Sequence, residues 1–207
     1  MTGEKRQALF GGSFDPIHNG HLLVAELLLQ LETLQEIVFV PAAQSPHKGQ
    51  SAAPAEARVR MIQAALQDKP HFRCSTAEVD RPAPSWTIDT IRHYAQRWQA
   101  KPVLIVGGDS LLDLDSWRQS ADILRESQVV VYARPGAEQA ADAATRMRVP
   151  YHAEVLSNIS SSELRARVRR GESLQGLVPT SVAQIIESGQ LYRSDSQDNP
   201  PQRHRHS

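Results

Sequence analysis

Two histidines three residues apart close the stretch Gly11-Gly12-Ser13-Phe14-Asp15-Pro16-Ile17-His18-Asn19-Gly20-His21. The short apolar run Ala8-Leu9-Phe10 precedes it, and the longer apolar run Leu22 to Leu31 follows. A strand, a glycine-rich turn and a helix start, in that order, build a pocket for phosphate. Glycines at positions 11 and 12 let the backbone approach a ligand and take positive φ, so that amide N–H groups face an anion. A helix beginning near Asn19 adds free N–H groups and the positive end of its dipole. His18 and His21 share one helical face, and each imidazole can donate to a phosphate oxygen, with extra charge if protonated. Taken alone, a Gly-Gly after a strand is only a tight turn. Paired histidines also suggest zinc, but the helical zinc pair is spaced by four with a glutamate between, and no third ligand follows at matching spacing. The joint order of residues is what favours phosphate.

Further segments carry compatible chemistry. The loop Pro41-Ala42-Ala43-Gln44-Ser45-Pro46-His47-Lys48-Gly49 holds one of only four lysines in an arginine-rich chain, and Lys48 is read as a phosphate contact rather than a solvated charge. Gly107-Gly108-Asp109-Ser110 ends an apolar run. Asp109 there either accepts from ribose hydroxyls or caps the next helix, and spacing leaves both open. Ile159-Ser160-Ser161-Ser162-Glu163-Leu164-Arg165 reads as another helix start, with Ser160 and Glu163 at capping-box spacing and Arg165 and Arg169 on one face. With the first glycine turn in the same chain, this is read as a triphosphate clamp. Trp86 and Thr87 end a proline-rich loop, and Trp117 follows Asp109; flat aromatic faces suit an electron-poor ring. Trp98 lies in an amphipathic pattern and is assigned to packing.

These side chains need a scaffold, and the bulk properties allow one. A chain of 207 residues with 40% hydrophobic content supports one core. The expected division is a single domain over residues 1–192 and a disordered polar tail over 193–207, which ends in Arg203-His204-Arg205-His206-Ser207. Acidic and basic residues balance at 23 each, so no global field recruits nucleic acid or an anionic membrane. Cys74 is the only cysteine, which excludes an internal disulfide. No apolar span approaches the roughly 20 residues of a membrane helix, and no export signal opens the chain. A cytoplasmic protein is expected.

Short apolar runs alternate with helical patterns, the order of a parallel sheet covered by helices. The strands expected are Gln7 to Phe10, Ile37 to Val40, Phe72 to Ser75, Val103 to Val106, Val129 to Ala133 and His152 to Val155. The helices expected are Asn19 to Gln30, Ala55 to Gln67, Thr87 to Gln99, Trp117 to Ser127, Ser161 to Arg170 and Ser181 to Ser188. Ile37-Val38-Phe39-Val40 and Val103-Leu104-Ile105-Val106 are apolar at every position, which demands burial on both faces and so a doubly wound, Rossmann-like α/β domain. Ligands of such folds sit beyond the carboxyl ends of the strands. Four glycine-rich or polar loops of this chain fall there: those at Gly11, Pro41, Gly107 and Arg134-Pro135-Gly136.

The first motif resembles the HxGH signature of the nucleotidyltransferase superfamily. With Ser45-Pro46-His47-Lys48, Pro84-Ser85-Trp86-Thr87, Gly107-Gly108-Asp109, Trp117 and Ile159 to Arg165 added, the chain from about Gln7 to Tyr192 resembles bacterial nicotinate-nucleotide adenylyltransferases. The departures are mild: Ser13 for threonine, Trp86 for tyrosine, Ser45 for proline, Gly108 for alanine or glutamine, and Ser162 for threonine. The resemblance implies transfer of AMP from ATP to nicotinate mononucleotide, giving deamido-NAD and pyrophosphate. It implies catalytic roles for His18, His21, Lys48 and Arg165, and ATP contacts from Gly11, Gly12, Ser13, Phe14, Gly107, Asp109, Ile159, Ser160 and Ser161. The acceptor would meet His47, Trp86, Thr87 and Trp117. Magnesium would arrive as MgATP rather than at a protein metal site. Transfer to nicotinamide mononucleotide or phosphopantetheine, or cytidylyl transfer, are the neighbouring activities.

Overall fold

The central strands of the sheet are built from apolar residues that must be covered on both sides. The structure, a computed structural model, describes residues 6–43, 51–82, 84, 86–155 and 157–193. Its strands are β1 (Gln7–Gly12), β2 (Glu36–Pro41), β3 (Phe72–Cys74), β4 (Val103–Gly107), β5 (Gln128–Tyr132) and β6 (Tyr151–His152). They form one sheet in the order β3-β2-β1-β4-β5-β6, with every pairing parallel. Period-2 alternation divides each strand between two cores. Ala8, Phe10, Ile37, Phe39 and Ile105 face one core, while Leu9, Val38, Leu104, Val129 and Val131 face the other.

The first core is closed by α1 (Asn19–Leu31), α2 (Ala55–Leu66), α7 (Ser161–Arg169) and α8 (Thr180–Ser188). The second is closed by α3 (Thr87–Trp98), α4 (Gly108–Leu112), α5 (Ser120–Glu126) and α6 (Ala140–Met147). The doubly wound parallel sheet expected from the apolar strands is therefore present. Strand order reverses between β1 and β4, which pair directly through Ala8 and Val103, Leu9 and Leu104, and Phe10 and Ile105. A crevice opens at such a reversal, beyond the strands' carboxyl ends. Trp98 packs on Tyr94 with ring centroids 4.7 Å apart, as its helical position suggests.

Three local expectations are corrected. Gly11 and Gly12 do not form a positive-φ turn; they extend β1, in register with Val40 and Pro41. The left-handed residue is Phe14, at φ 47°, whose ring the core holds between Phe10 and Phe39. Trp117 precedes α5 rather than opening it, after a 3₁₀ turn at Leu114–Ser116. Helices α4 and α6 were not expected. The buried face of α6 is Ala140, Ala143 and Ala144, whose methyl groups carry little apolar signal despite helical spacing. These small residues let α4 pack close: a Cβ added at Gly108 would lie 2.9 Å from that of Ala140. His47, Lys48 and residues 194–207 lie outside the described residues. Among the described residues, no helix is long and apolar enough to cross a membrane.

Candidate active site

A cleft of about 650 Å³ occupies the β1/β4 crevice, within the usual range for small-molecule sites. Gly11, Gly12 and Ser13 form one wall with His18 and His21, and Gly107 and Asp109 form the wall beyond β4. Trp86 and Thr87 enter from the start of α3, Trp117 and Arg118 from the segment before α5, and Ser160, Ser161 and Arg165 from the start of α7. Residues up to about 150 positions apart in the chain thus meet around one space. Phe14 and Ile159 stand outside this wall: Phe14 is in the core, and Ile159 packs against it.

The two histidines hold each other at the start of α1. His18 is the N-cap, in extended conformation at φ −146° and ψ 168°, and its Nδ1 accepts the His21 amide at 3.3 Å. His21 Nδ1 accepts the His18 amide at 3.3 Å in return. This is a capping box made from two imidazoles, whose rings stack 3.6 Å apart at 23°. An Nδ1 that accepts carries no proton, so the ring proton of each histidine sits on Nε2. Their spacing requires Gly20: a Cβ there would lie 2.0 Å from Ser157 Oγ and 3.0 Å from His18 Nδ1.

The capping box also changes the expected source of positive potential. The amide of Asn19 donates to Leu177 O at 2.9 Å, and that of His21 is taken by His18. The free α1 amides anticipated from sequence are therefore largely occupied, and imidazole donors replace them. His18 is 1% exposed, and burial, assisted by the Arg134 charge, pushes its pKa down to about 3. The ring is neutral at physiological pH, with its one proton on Nε2. Unfolded His18 titrates at its ordinary value of 6.5. Between the two values the unfolded chain binds the additional proton, so stability is lost as pH falls through that window. One such group costs up to about 1.4 kcal/mol per pH unit. Urea titrations should show wild type losing stability relative to His18→Asn at about this rate below pH 6.5, with a constant difference above it. A difference that does not vary with pH would show that the folded ring titrates normally.

Beneath the Ser13–Pro16 segment that follows β1 lies a polar knot that sequence reasoning missed. Asp15, 3% exposed, accepts the amides of Ala52 at 2.7 Å and Ala53 at 3.1 Å, and the Tyr192 hydroxyl at 2.8 Å. Arg58, 1% exposed, donates to the carbonyls of Ser13 at 2.7 Å, Ala43 at 3.2 Å and Ala53 at 3.3 Å. Burial lowers the Arg58 pKa, opposed by Asp15, while burial and Asp15 push the Tyr192 phenol up. Arg58 could have been noticed only as an arginine on the apolar side of α2.

At α7, Ser160 caps the helix by accepting the Glu163 amide at 3.2 Å. The capping box is half formed, because the Glu163 carboxylate turns to Arg170 at 3.0 Å. Ser161 donates to Pro16 O at 2.9 Å and Arg165 to Asp15 O at 2.8 Å, so α7 docks on the turn that carries the histidines. Asp109 makes no cap; Gly107 is the N-cap of α4, and the Asp109 carboxylate lies 3.7 Å from Arg134. Arg134 lines the cleft after β5. Its position beyond an all-apolar strand was legible, but its contribution to the site was not.

A parallel sheet in 3-2-1-4-5-6 order with donors gathered at its switch point defines a nucleotide-handling α/β protein. The family described as cytidylyltransferase-like matches residues 9–167. A protein of Thermus thermophilus described as a probable nicotinate-nucleotide adenylyltransferase is 41% identical, over 91% of this chain and 100% of its own. One of Thermomicrobium roseum with the same description is 39% identical, over 91% and 92%. Among solved structures, Plasmodium falciparum nicotinic acid mononucleotide adenylyltransferase complexed with NaAD superposes with a TM-score of 0.75 at 18% identity, covering 91% of this chain and 97% of that one. The chain belongs to the nicotinate-nucleotide adenylyltransferase family, and is a nucleotidyltransferase.

Proposed function

We propose that this enzyme transfers AMP from ATP to nicotinate mononucleotide. The observation that carries the reading is the histidine capping box: two imidazoles with their Nδ1 atoms consumed and their protons on Nε2, in a glycine-walled cleft at the switch point. The acceptor phosphate has its second pKa near 6 and is largely dianionic at neutral pH, so it needs no general base. Its oxygen attacks the α-phosphorus of ATP, a new P–O–P bridge forms, and the bond to the β-phosphate oxygen breaks, releasing pyrophosphate. The protein's task is alignment and charge stabilisation.

His18 Nε2–H donates to the α-phosphate and His21 to an adjacent phosphate oxygen, supported by the Gly11, Gly12 and Ser13 backbone, which Phe14 anchors. Arg165 with the start of α7 at Ile159, Ser160 and Ser161 receives the β- and γ-phosphates. Lys48 is assigned to the reacting phosphates and His47 to the acceptor. Asp109 and the adjoining Gly107 take the ribose. The acceptor ring lies against Trp117, with its carboxylate at the backbone of Trp86 and Thr87. Magnesium comes as the counter-ion of ATP: Asp109 faces Arg134 and Glu78 accepts from Thr90 at 2.7 Å, so these cleft carboxylates do not make a resident cage for a hard cation. Residues to about Tyr192 make the catalytic unit of a cytoplasmic enzyme. Pyrophosphate release should be fastest with ATP and nicotinate mononucleotide, and slow when nicotinamide mononucleotide or phosphopantetheine replaces that acceptor or CTP replaces ATP. Faster release with any of these would reassign the substrate.

A further inference from the structure

Among the cations of the cleft wall, Arg118 differs in what it touches. Arg165 donates to Asp15 O, and Arg134 faces Asp109. Arg118 makes no hydrogen bond or ion pair among the described residues; its recorded contact is with the Trp86 ring, whose centroid lies 5.2 Å from the guanidinium carbon. An indole face holds a cation through its quadrupole but neutralises none of its charge and accepts none of its five N–H bonds. Arg118 is therefore positioned at the aromatic end of the cleft with its hydrogen-bonding capacity unspent.

That placement matters because the two faces suited to a heteroaromatic ring, Trp86 and Trp117, line the same cleft, and Arg118 lies over the first and follows the second in the chain. A ring bound there carries any substituent beside a planar, permanently charged fork of donors, which matches a carboxylate in two parallel bonds. A carboxamide presents one acceptor and an NH₂ donor, and the donor meets only further donors. Resting on the acceptor reading above, we infer that the Arg118 side chain contacts the ring carboxylate of the acceptor and sets the preference for acid over amide. Trp86 is its support, keeping the flexible side chain over the cleft by stacking.

The test is calorimetric binding of nicotinate mononucleotide and nicotinamide mononucleotide to wild type and to Arg118→Ala, with ATP affinity measured alongside. The acid should bind about tenfold more weakly to the variant, the scale of a charge-assisted bond at a solvent-facing site, while the amide and ATP change by less than about twofold. The wild-type advantage should shrink as salt is raised, and Arg118→Lys should restore part of it. Equal weakening of acid and amide would place Arg118 on the phosphate they share and overturn the inference, as would an unchanged ratio. If wild type binds neither mononucleotide, the acceptor reading itself fails, and the inference with it.

Discussion

Replacing His18 by alanine should lower turnover by at least about a hundredfold, the scale of losing one preorganised donor to a developing charge. Alanine removes two things at once. The Nε2–H of the ring is the donor assigned to the reacting phosphate, and Nδ1 is the cap that accepts the His21 amide at 3.3 Å. Loss of the cap alone costs about 1 kcal/mol. His18→Asn separates the roles, because asparagine carries an acceptor one bond beyond Cγ, where Nδ1 stands, and nothing at the position of Nε2. The asparagine variant should keep the stability that alanine loses and share its loss of turnover. Denaturant titration and steady-state kinetics on both variants decide this. Near-normal turnover in His18→Asn would leave the ring as a cap and nothing more.

Asp15→Ala should lower folding stability by about 3–5 kcal/mol, because three donors lose the carboxylate that accepts them, at about 1–3 kcal/mol for each buried group left unsatisfied. Four donors now converge on this residue: two amides, the Tyr192 hydroxyl, and Arg165 through the Asp15 carbonyl. Without the carboxylate, the amides of Ala52 and Ala53 lose their acceptor and Arg58 loses the negative charge that opposes its desolvation. Tyr192→Phe removes a single bond and should cost about 1 kcal/mol. Because Arg58 also holds the carbonyls of Ser13 and Ala43, relaxation of the knot should shift the Ser13–Pro16 segment that leads to the histidines, and turnover should fall by roughly a hundredfold from misalignment. Urea unfolding with turnover measured on the same preparations tests both. A loss below about 1 kcal/mol would show that the turn is held by its apolar contacts instead.

The apolar strands declare their own burial, which is why the parallel sheet and the convergence of loops after β1, β4 and β5 could be read directly. Where packing rests on small residues, as at Ala140, Ala143 and Ala144, the pattern carries too little hydrophobic contrast to show a helix, and α6 went unseen. The backbone at Gly11 and Gly12 depends on pairing with β2, a partner some 30 residues away, so local glycine preference gave the wrong conformation.

Residue types, strand burial and loop order are local properties, so the loops that carry His18, His21, Asp109, Ser160 and Arg165 to the cleft were legible in the chain, whereas the place of Arg134 and Arg118 beside them was not. The sequence by itself did not determine which of those groups keep a donor for a ligand. Each N–H or O–H makes essentially one good hydrogen bond, and the acceptors that consume them, Leu177 O for the Asn19 amide, Pro16 O for the Ser161 hydroxyl and the Asp15 carboxylate for the Tyr192 hydroxyl, come from distant segments. Burial, likewise a property of the assembled fold, is what holds the His18 pKa far below its ordinary value.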